Sequence, residues 1–172
     1  QVVGKVGSVI FGVLTTLLLT NYLGAEGFGR YIFILSYAAI FYALSDWGTS
    51  LVGVKLASEK EINQATIFGN LLWVRAGLSF FSVLISLVLF FLLPVFDKET
   101  QPLIIFSSLL IVLFSFKNSL VIVFQTKLKM EKTALMELLT SFLVLVFSLI
   151  SIKVSLGASS FLGGVVLANF FS

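Results

Sequence analysis

The chain has 172 residues, of which 59% are hydrophobic and only 11% are charged, and its mean hydropathy is +1.13. A soluble domain of this size cannot bury so much apolar surface, whereas a lipid bilayer accommodates it. The sequence has no Cys and no His, which excludes disulfides, thiol and imidazole chemistry and most zinc sites within these residues. We therefore predict an integral membrane protein whose function depends on the few polar residues inside the membrane.

Long apolar stretches follow one another along the chain. A spanning helix needs about 20 apolar residues, whereas barrel strands alternate apolar and polar residues over about 10. The predicted fold class is all-α, a polytopic transmembrane helix bundle with five complete helices and the start of a sixth. Because the sequence starts at Gln1 and stops inside an apolar run, we expect a part of a longer protein, with residues 1–172 in one domain. The predicted spans cover residues 2–20, 31–50, 67–93, 103–124, 134–154 and 161–172.

The loops between these spans differ in charge. Loops one and three, residues 21–30 and 94–102, hold only Arg30 and Lys98 as basic residues, and Lys5 lies near the start of the first span. The positive-inside rule therefore places the N-terminus and loops two and four in the cytoplasm. The lysines of loops two and four are Lys55, Lys60, Lys127, Lys129 and Lys132.

Aromatic residues near the span ends agree with this topology. Tyr22 and Tyr31 flank the first loop, while Trp47 and Trp73 lie near the opposite interface, as expected for aromatic belts. Residues 51–66 mix apolar and charged side chains, which predicts a short interfacial helix; the alternative is a solvated linker with helical ends.

Small residues recur at spacings that allow helix backbones to approach closely. In the first span they are Gly4, Ser8 and Gly12, and in the third they are Gly69 and Gly77. We expect a packing role for these positions rather than ligand contact.

Five charged residues inside the predicted spans are candidates for function, because charges there are costly and usually face a cavity or a partner. Under the predicted topology all five lie on the cytoplasmic side of the midplane, and Asp46 and Arg75 are at similar depth. These two can form an ion pair; alternatively, Asp46 marks a helix end and Arg75 snorkels to the headgroups. Glu137 has an equally simple reading as an interfacial charge. The five residues are Lys5, Asp46, Arg75, Lys117 and Glu137.

Lys117 lies roughly 12 Å from the cytoplasmic end of its predicted span and has polar neighbours at Ser115, Asn118 and Ser119. A lipid-facing position would be unfavourable for the whole group, so we expect a water-accessible interior. A cluster of cations that carboxylates partly neutralise is suited to bind an anionic headgroup, because Arg binds phosphate bidentately and Lys binds it as a point charge.

The segment NYLGAEGFGRYIFILSYAAIFYALSDWGTS carries a family pattern. It contains a Leu-Gly-x-Glu-x-x-Gly-x-Tyr sequence from Leu23 to Tyr31, and a small–Asp–x–Gly element from Ser45 to Gly48. Arg75, the basic segment QTKLKMEKTALMELL and the glycines at 157, 163 and 164 follow in order. The chain thereby resembles the polysaccharide flippases, the Wzx-like oligosaccharide exporters of the multidrug/oligosaccharidyl-lipid/polysaccharide superfamily.

The resemblance implies the N-terminal lobe of a transporter with 12 to 14 helices in two pseudo-symmetric halves. Such a protein flips a lipid-linked oligosaccharide from the cytoplasmic to the outer leaflet of the plasma (inner) membrane during the synthesis of cell-surface polysaccharide such as O-antigen. The expected partners are a polyprenyl-(pyro)phosphate-linked glycan and the bilayer, with a coupled proton or Na⁺ as a further option. No nucleic acid, cofactor or metal is expected.

Each candidate site residue receives a role on this hypothesis. Arg75, Lys117, Lys5 and Asn118 contact the headgroup phosphate, while Asp46 and Glu137 neutralise or gate the cluster or carry the coupled ion. No motif of the family supports the roles of Lys117 and Glu137, which are inferred only from the depth of these residues in the membrane.

Three other functions compete with this one. A drug/cation antiporter of the same superfamily needs unpaired carboxylates, and acidic residues do not outnumber basic ones here. A membrane-embedded glycan ligase or glycosyltransferase needs a catalytic carboxylate or His and usually a large outer loop, so we expect no enzyme. A membrane scaffold without transport does not need Lys117 or Arg75 to face a cavity.

Overall fold

Six α-helices account for most of the chain. The computed structural model describes residues 2–58, 64–92, 100–126, 130–154 and 157–172, and no strand occurs within these ranges. The predicted all-α polytopic bundle is confirmed. A short 3-10 turn, Gln101–Leu103, leads into the fourth helix. The helices are α1 Val2–Asp46, α2 Thr49–Ser58, α3 Gln64–Leu92, α4 Ile104–Thr126, α5 Met130–Lys153 and α6 Ala158–Phe171.

Helix α1 is folded back on itself at Gly24. This residue has φ 68° and ψ −178°, a conformation that is essentially restricted to glycine. Lys5, near the start of α1, lines a cavity with Gln125 of α4, and Asp46, at its end, lies 3.5 Å from the Asn118 amide of the same helix. Both ends of α1 therefore lie near the C-terminal end of α4, so residues 2–23 (the first arm) and 25–46 (the second arm) run in opposite directions.

The loop predicted at residues 21–30 is therefore wrong, because the reversal occurs at a single residue and both flanks are helical. Its polar residues instead begin the second arm. Glu26 accepts a hydrogen bond of 2.7 Å from Arg30 one turn later, an i,i+4 pair with the acid nearer the N-terminus. Because the chain reverses at Gly24 rather than in a loop, two spans follow each other within one continuous apolar stretch.

The helices are long and apolar enough for a multi-pass membrane protein. The stretch Gly4–Asp46 has 43 residues, or about 65 Å of helix, which is twice the hydrocarbon thickness. Because the chain reverses at Gly24, this stretch can cross the membrane twice. Thr66–Leu92, Ile104–Gln125 and Met130–Lys153 are each long enough to cross once, and Ala158–Phe171 is a shorter apolar helix.

The second arm ends at a sharp turn. Trp47 and Gly48 have positive φ angles of 34° and 78°, and α2 starts directly after them. The short helix predicted in residues 51–66 is thus present, although it starts earlier, at Thr49. Trp47 and Trp73 are both exposed, as interfacial side chains in a bilayer would be.

The expected close contacts of the small residues are found only in part. A methyl group built on Gly4 would lie 3.1 Å from Ala134 Cβ, so α1 and α5 do approach closely there. Among the described residues, no non-local atom lies within 4 Å of a Cβ built on Gly12, Gly69 or Gly77. These three glycines face open surface, which the periodicity of the sequence did not indicate.

Three of the lysines that support the predicted orientation, Lys60, Lys127 and Lys129, lie outside the described residues, as does Lys98 of the third loop. Lys55 and Lys132 are described and are exposed.

Buried side chains form one core between the second arm of α1, α4 and α6, and many large apolar side chains remain exposed around it. Ser79 of α3 and Ser115 and Ser119 of α4 lie together where these two helices meet, and small side chains there let the helices approach. The other buried serines of α3 and α4 are Ser82, Ser86 and Ser107.

We predict that Gly24→Ala destabilises the protein by about 1–3 kcal/mol, because a Cβ is strained in this conformation. Thermal unfolding of the detergent-solubilised protein measures the effect. Gly29→Ala is the matched control, since Gly29 has neither a positive φ nor a close neighbour within the described chain. Equal stability of the two variants would contradict a glycine-dependent reversal.

Candidate functional site

An ion pair between Arg75 and Asp46 lies at the centre of the candidate site. Nη2 of Arg75 donates a hydrogen bond to Oδ1 of Asp46, and the two side chains are only 2% and 23% exposed. The pair joins the early part of α3 to the end of α1. The ion pair expected from their similar depth is therefore present, and the expectation that Arg75 snorkels away from the protein is not met.

Every N–H group of the Arg75 guanidinium has a protein partner. Nε donates to Thr49 Oγ1 at 2.9 Å, and Nη2 also donates to Ser50 Oγ at 2.7 Å. Nη1 donates to the Ser115 carbonyl at 3.3 Å and to Ser119 Oγ at 3.1 Å. With the bond to Asp46, all five donors that an arginine possesses are used. In this conformation Arg75 has no donor left for a ligand.

Oδ1 of Asp46 is surrounded by donors from α2, α3 and α4. Ser50 donates to Oδ1 at 2.5 Å and Thr49 approaches it at 3.4 Å, so the first turn of α2 covers the carboxylate. Asn118 Nδ2 lies 3.5 Å from Oδ1 and donates to Ser50 Oγ at 2.8 Å. Four helices thus meet at one hydrogen-bonded charge pair, as a buried ion pair requires if it is not to be destabilising.

Lys117 lies on a different side of α4, just past its middle. Its ammonium group donates to Thr140 Oγ1 of α5, to Ser172 Oγ at 2.9 Å and to Asn169 Oδ1 at 3.4 Å. None of these partners carries a charge. The half-buried lysine therefore has all three of its donors in use, as Arg75 has all five, but no carboxylate is in ion-pair contact with it in the described part of the chain. An anionic ligand would displace only a neutral oxygen there, whereas at Arg75 it would have to displace Asp46.

A cavity of about 410 Å³ opens beside Lys117, between α4, α5 and α6. Its wall is mainly apolar, with Phe116, Leu120 and Met136 among its lining side chains, and Lys117 and Asn169 supply the polar groups. Such a combination suits an amphipathic anion, whose charge meets the lysine while its hydrocarbon part contacts the apolar wall. Volumes of this size are typical of ligand pockets.

Lys5 and Glu137 share a second cavity of about 230 Å³ at the α4–α5 end of the bundle, with Gln125 and Thr133 in its wall. Both charged side chains are exposed, and no ion pair joins them within the described part of the chain. Glu137 lies close enough to Lys117 to act on its charge. The Thr133 hydroxyl is buried there with no hydrogen-bond partner.

The structure therefore divides the predicted site residues among three places. Arg75, Asp46 and Asn118 form one network, Lys117 lies in a separate cavity, and Lys5 and Glu137 lie in the third. The common cluster suggested by depth alone is not formed, because Lys117 and Asn118 are adjacent in sequence and project about 100° apart on the helix.

Several polar contacts were not among the predicted site residues. Thr49 and Ser50 were placed at the end of the second predicted span, whereas they start α2 and bind the charge pair. Asn169 is the only amide in an otherwise apolar stretch, a signal that could have identified it as a partner of Lys117. No group of three metal-ligating side chains occurs among the residues described.

A family model described as "Polysaccharide biosynthesis protein" matches residues 1–172. Neither a curated protein nor a solved structure matches the chain.

We predict that Asp46→Ala lowers the free energy of unfolding by roughly 3–5 kcal/mol, because it leaves the Arg75 charge buried without its counter-charge. The measurement is the thermal unfolding midpoint in detergent. Glu26→Ala is the matched control, since Glu26 also pairs with an arginine but is 83% exposed. A loss of at most about 0.5 kcal/mol is expected there. Similar losses in both variants would show that burial adds nothing to the Asp46 pair.

Proposed function

The chain belongs to the polysaccharide biosynthesis protein family, and from this membership we propose that it is the N-terminal lobe of a lipid-linked oligosaccharide flippase. The protein moves the glycan headgroup of a polyprenyl-(pyro)phosphate carrier from the cytoplasmic to the outer leaflet of the plasma (inner) membrane. It acts as a transporter rather than an enzyme. Its N-terminus lies in the cytoplasm, as the lysine distribution of the sequence indicates.

The observation that carries this proposal is the charge of Lys117 at the wall of a mainly apolar cavity, where no described carboxylate forms an ion pair with it. A charge inside a membrane segment is costly and is expected to serve a pathway. The substrate is itself an anion attached to a hydrocarbon chain, so its phosphate is attracted to Lys117 while the carrier stays in apolar surroundings. Thr140, Asn169 and Ser172 hold the ammonium in position for that contact.

Arg75 is assigned a positioning role rather than a headgroup contact. Its five donors are used within the protein, and it ties α1, α2, α3 and α4 together around Asp46. Asn118 belongs to the same network and acts through it. Among the predicted cations, Lys117 and Lys5 therefore remain for the substrate, with Lys5 nearer the cytoplasmic entrance.

Glu137 is the carboxylate best placed to respond to transport. It is exposed in the cavity that contains Lys5, and its charge acts on Lys117. A proton or Na⁺ on Glu137 would remove its attraction for Lys117 and so change the affinity of that lysine for phosphate. Alternating access needs such a difference in binding between the inward-open and outward-open states.

The test is complementation of a host that lacks its own glycan flippase, with surface glycan as the readout. We expect the full-length wild-type protein to restore surface glycan and Lys117→Ala to lose about tenfold or more, the effect of one charge-assisted hydrogen bond. Lys153→Ala is the matched control, because Lys153 is exposed in the last turn of α5. Its glycan level should equal that of wild type at the same membrane expression.

Two outcomes would overturn the proposal. Full activity of Lys117→Ala would remove the lysine from the pathway. Absence of rescue by wild type, together with cation-dependent drug export, would favour the antiporter of the same superfamily.

A further inference from the structure

A second apolar cavity lies between α2 and α3, away from Lys117. It has a volume of about 410 Å³, within the range of ligand pockets. Val52 and Leu56 of α2 form one side, Leu71 and Val74 of α3 form the other, and Trp47 closes one end. None of these residues belongs to the proposed path of the glycan.

The position of the cavity relative to the membrane follows from its neighbours. Trp47 and Trp73 are both strongly exposed and are the two tryptophans of the chain, which places this end of α3 at a bilayer interface. The outer surface of α2 carries exposed Leu51 and Val52, as a helix lying in the interface does. The medium around the cavity is therefore lipid at the depth where acyl chains meet headgroups.

The charge and polarity near the cavity favour one kind of lipid. Lys55 is not a lining residue, but it is exposed in the last turn of α2, one helical turn from Val52 and next to Leu56, both of which line the cavity. Asn70 and Thr66 add polar groups on the α3 side of the same cavity. An apolar cavity with an exposed cation within one helical turn of it is complementary to a hydrocarbon chain that ends in an anionic headgroup.

We propose that this cavity binds an acyl chain of an anionic bilayer phospholipid, with the headgroup phosphate at Lys55. The bound chain fills the space between α2 and α3 and holds α2 in place. Because Thr49 and Ser50 at the start of α2 bond to Arg75 and Asp46, the lipid stabilises the charge pair indirectly. This site does not depend on transport, and its failure would leave the proposed flippase function untouched.

The two tryptophans allow a direct test with phosphatidylglycerol brominated on its acyl chains, which quenches tryptophan fluorescence on contact. In a full-length protein whose tryptophans outside residues 1–172 are all replaced by Phe, Trp73→Phe reports on Trp47, which lines the cavity, and Trp47→Phe reports on Trp73, which does not. In detergent solution we expect Trp47 emission to fall saturably at about one lipid per chain, by mass action. Trp73 emission should fall gradually without saturation. The same gradual curve for both tryptophans would overturn the proposal.

Substitutions that fill the cavity and a substitution that removes the charge of Lys55 test the two parts of the proposal. Val74→Phe and, independently, Leu56→Phe place a ring in the cavity and should abolish the saturable phase while thermal stability without lipid is kept. Lys55→Ala should weaken the anionic lipid about fivefold at low salt and leave a zwitterionic brominated lipid unchanged. A saturable phase that survives both phenylalanine variants would contradict an acyl chain in this cavity. An unchanged affinity in Lys55→Ala would contradict the headgroup assignment.

Discussion

A buried guanidinium must be fully hydrogen-bonded, and this constraint organises the bundle. Arg75 is 2% exposed, and each of its N–H groups reaches an oxygen of the second arm of α1, of α2 or of α4. In surroundings of low dielectric constant an unpaired charge would cost far more than any single apolar contact contributes. The positions of four helices are therefore fixed together by one side chain and its counter-charge.

The same constraint separates the roles of the cations. Arg75 is surrounded by acceptors and by a carboxylate, whereas Lys117 meets only neutral oxygens and a cavity. A cation that is already neutralised by a neighbour attracts a phosphate weakly, and one that is not attracts it strongly. Arg75 therefore stabilises the contacts among the helices, while Lys117, on another face of α4, remains available to the anionic substrate that we propose.

Much of this arrangement was predictable from the sequence, since apolar length gives the spans and depth pairs Asp46 with Arg75. The reversal at Gly24 was not, because polar residues such as Asn21 and Glu26 look like a loop until a single glycine conformation is known to make the turn. The separation of the charged residues into three places could not be predicted from the sequence either. Depth along a helix is readable from residue number, but the neighbour that each face meets depends on how the helices pack. For the same reason, the sequence could not show that Gly12 and Gly77 face open surface rather than another helix.

The most direct test of the central claim is the accessibility of position 117. The 172 residues contain no cysteine, so once any cysteine elsewhere in the full-length protein is replaced by Ser, Lys117→Cys can be probed with a membrane-impermeant cationic thiol reagent in oriented vesicles, with Ser86→Cys as the fully buried control. A transport cavity predicts modification from the cytoplasmic side at position 117, protection by the lipid-linked glycan, and no modification at position 86. Equal resistance of both cysteines from either side would show that Lys117 lies in a sealed core and would contradict its role in the pathway.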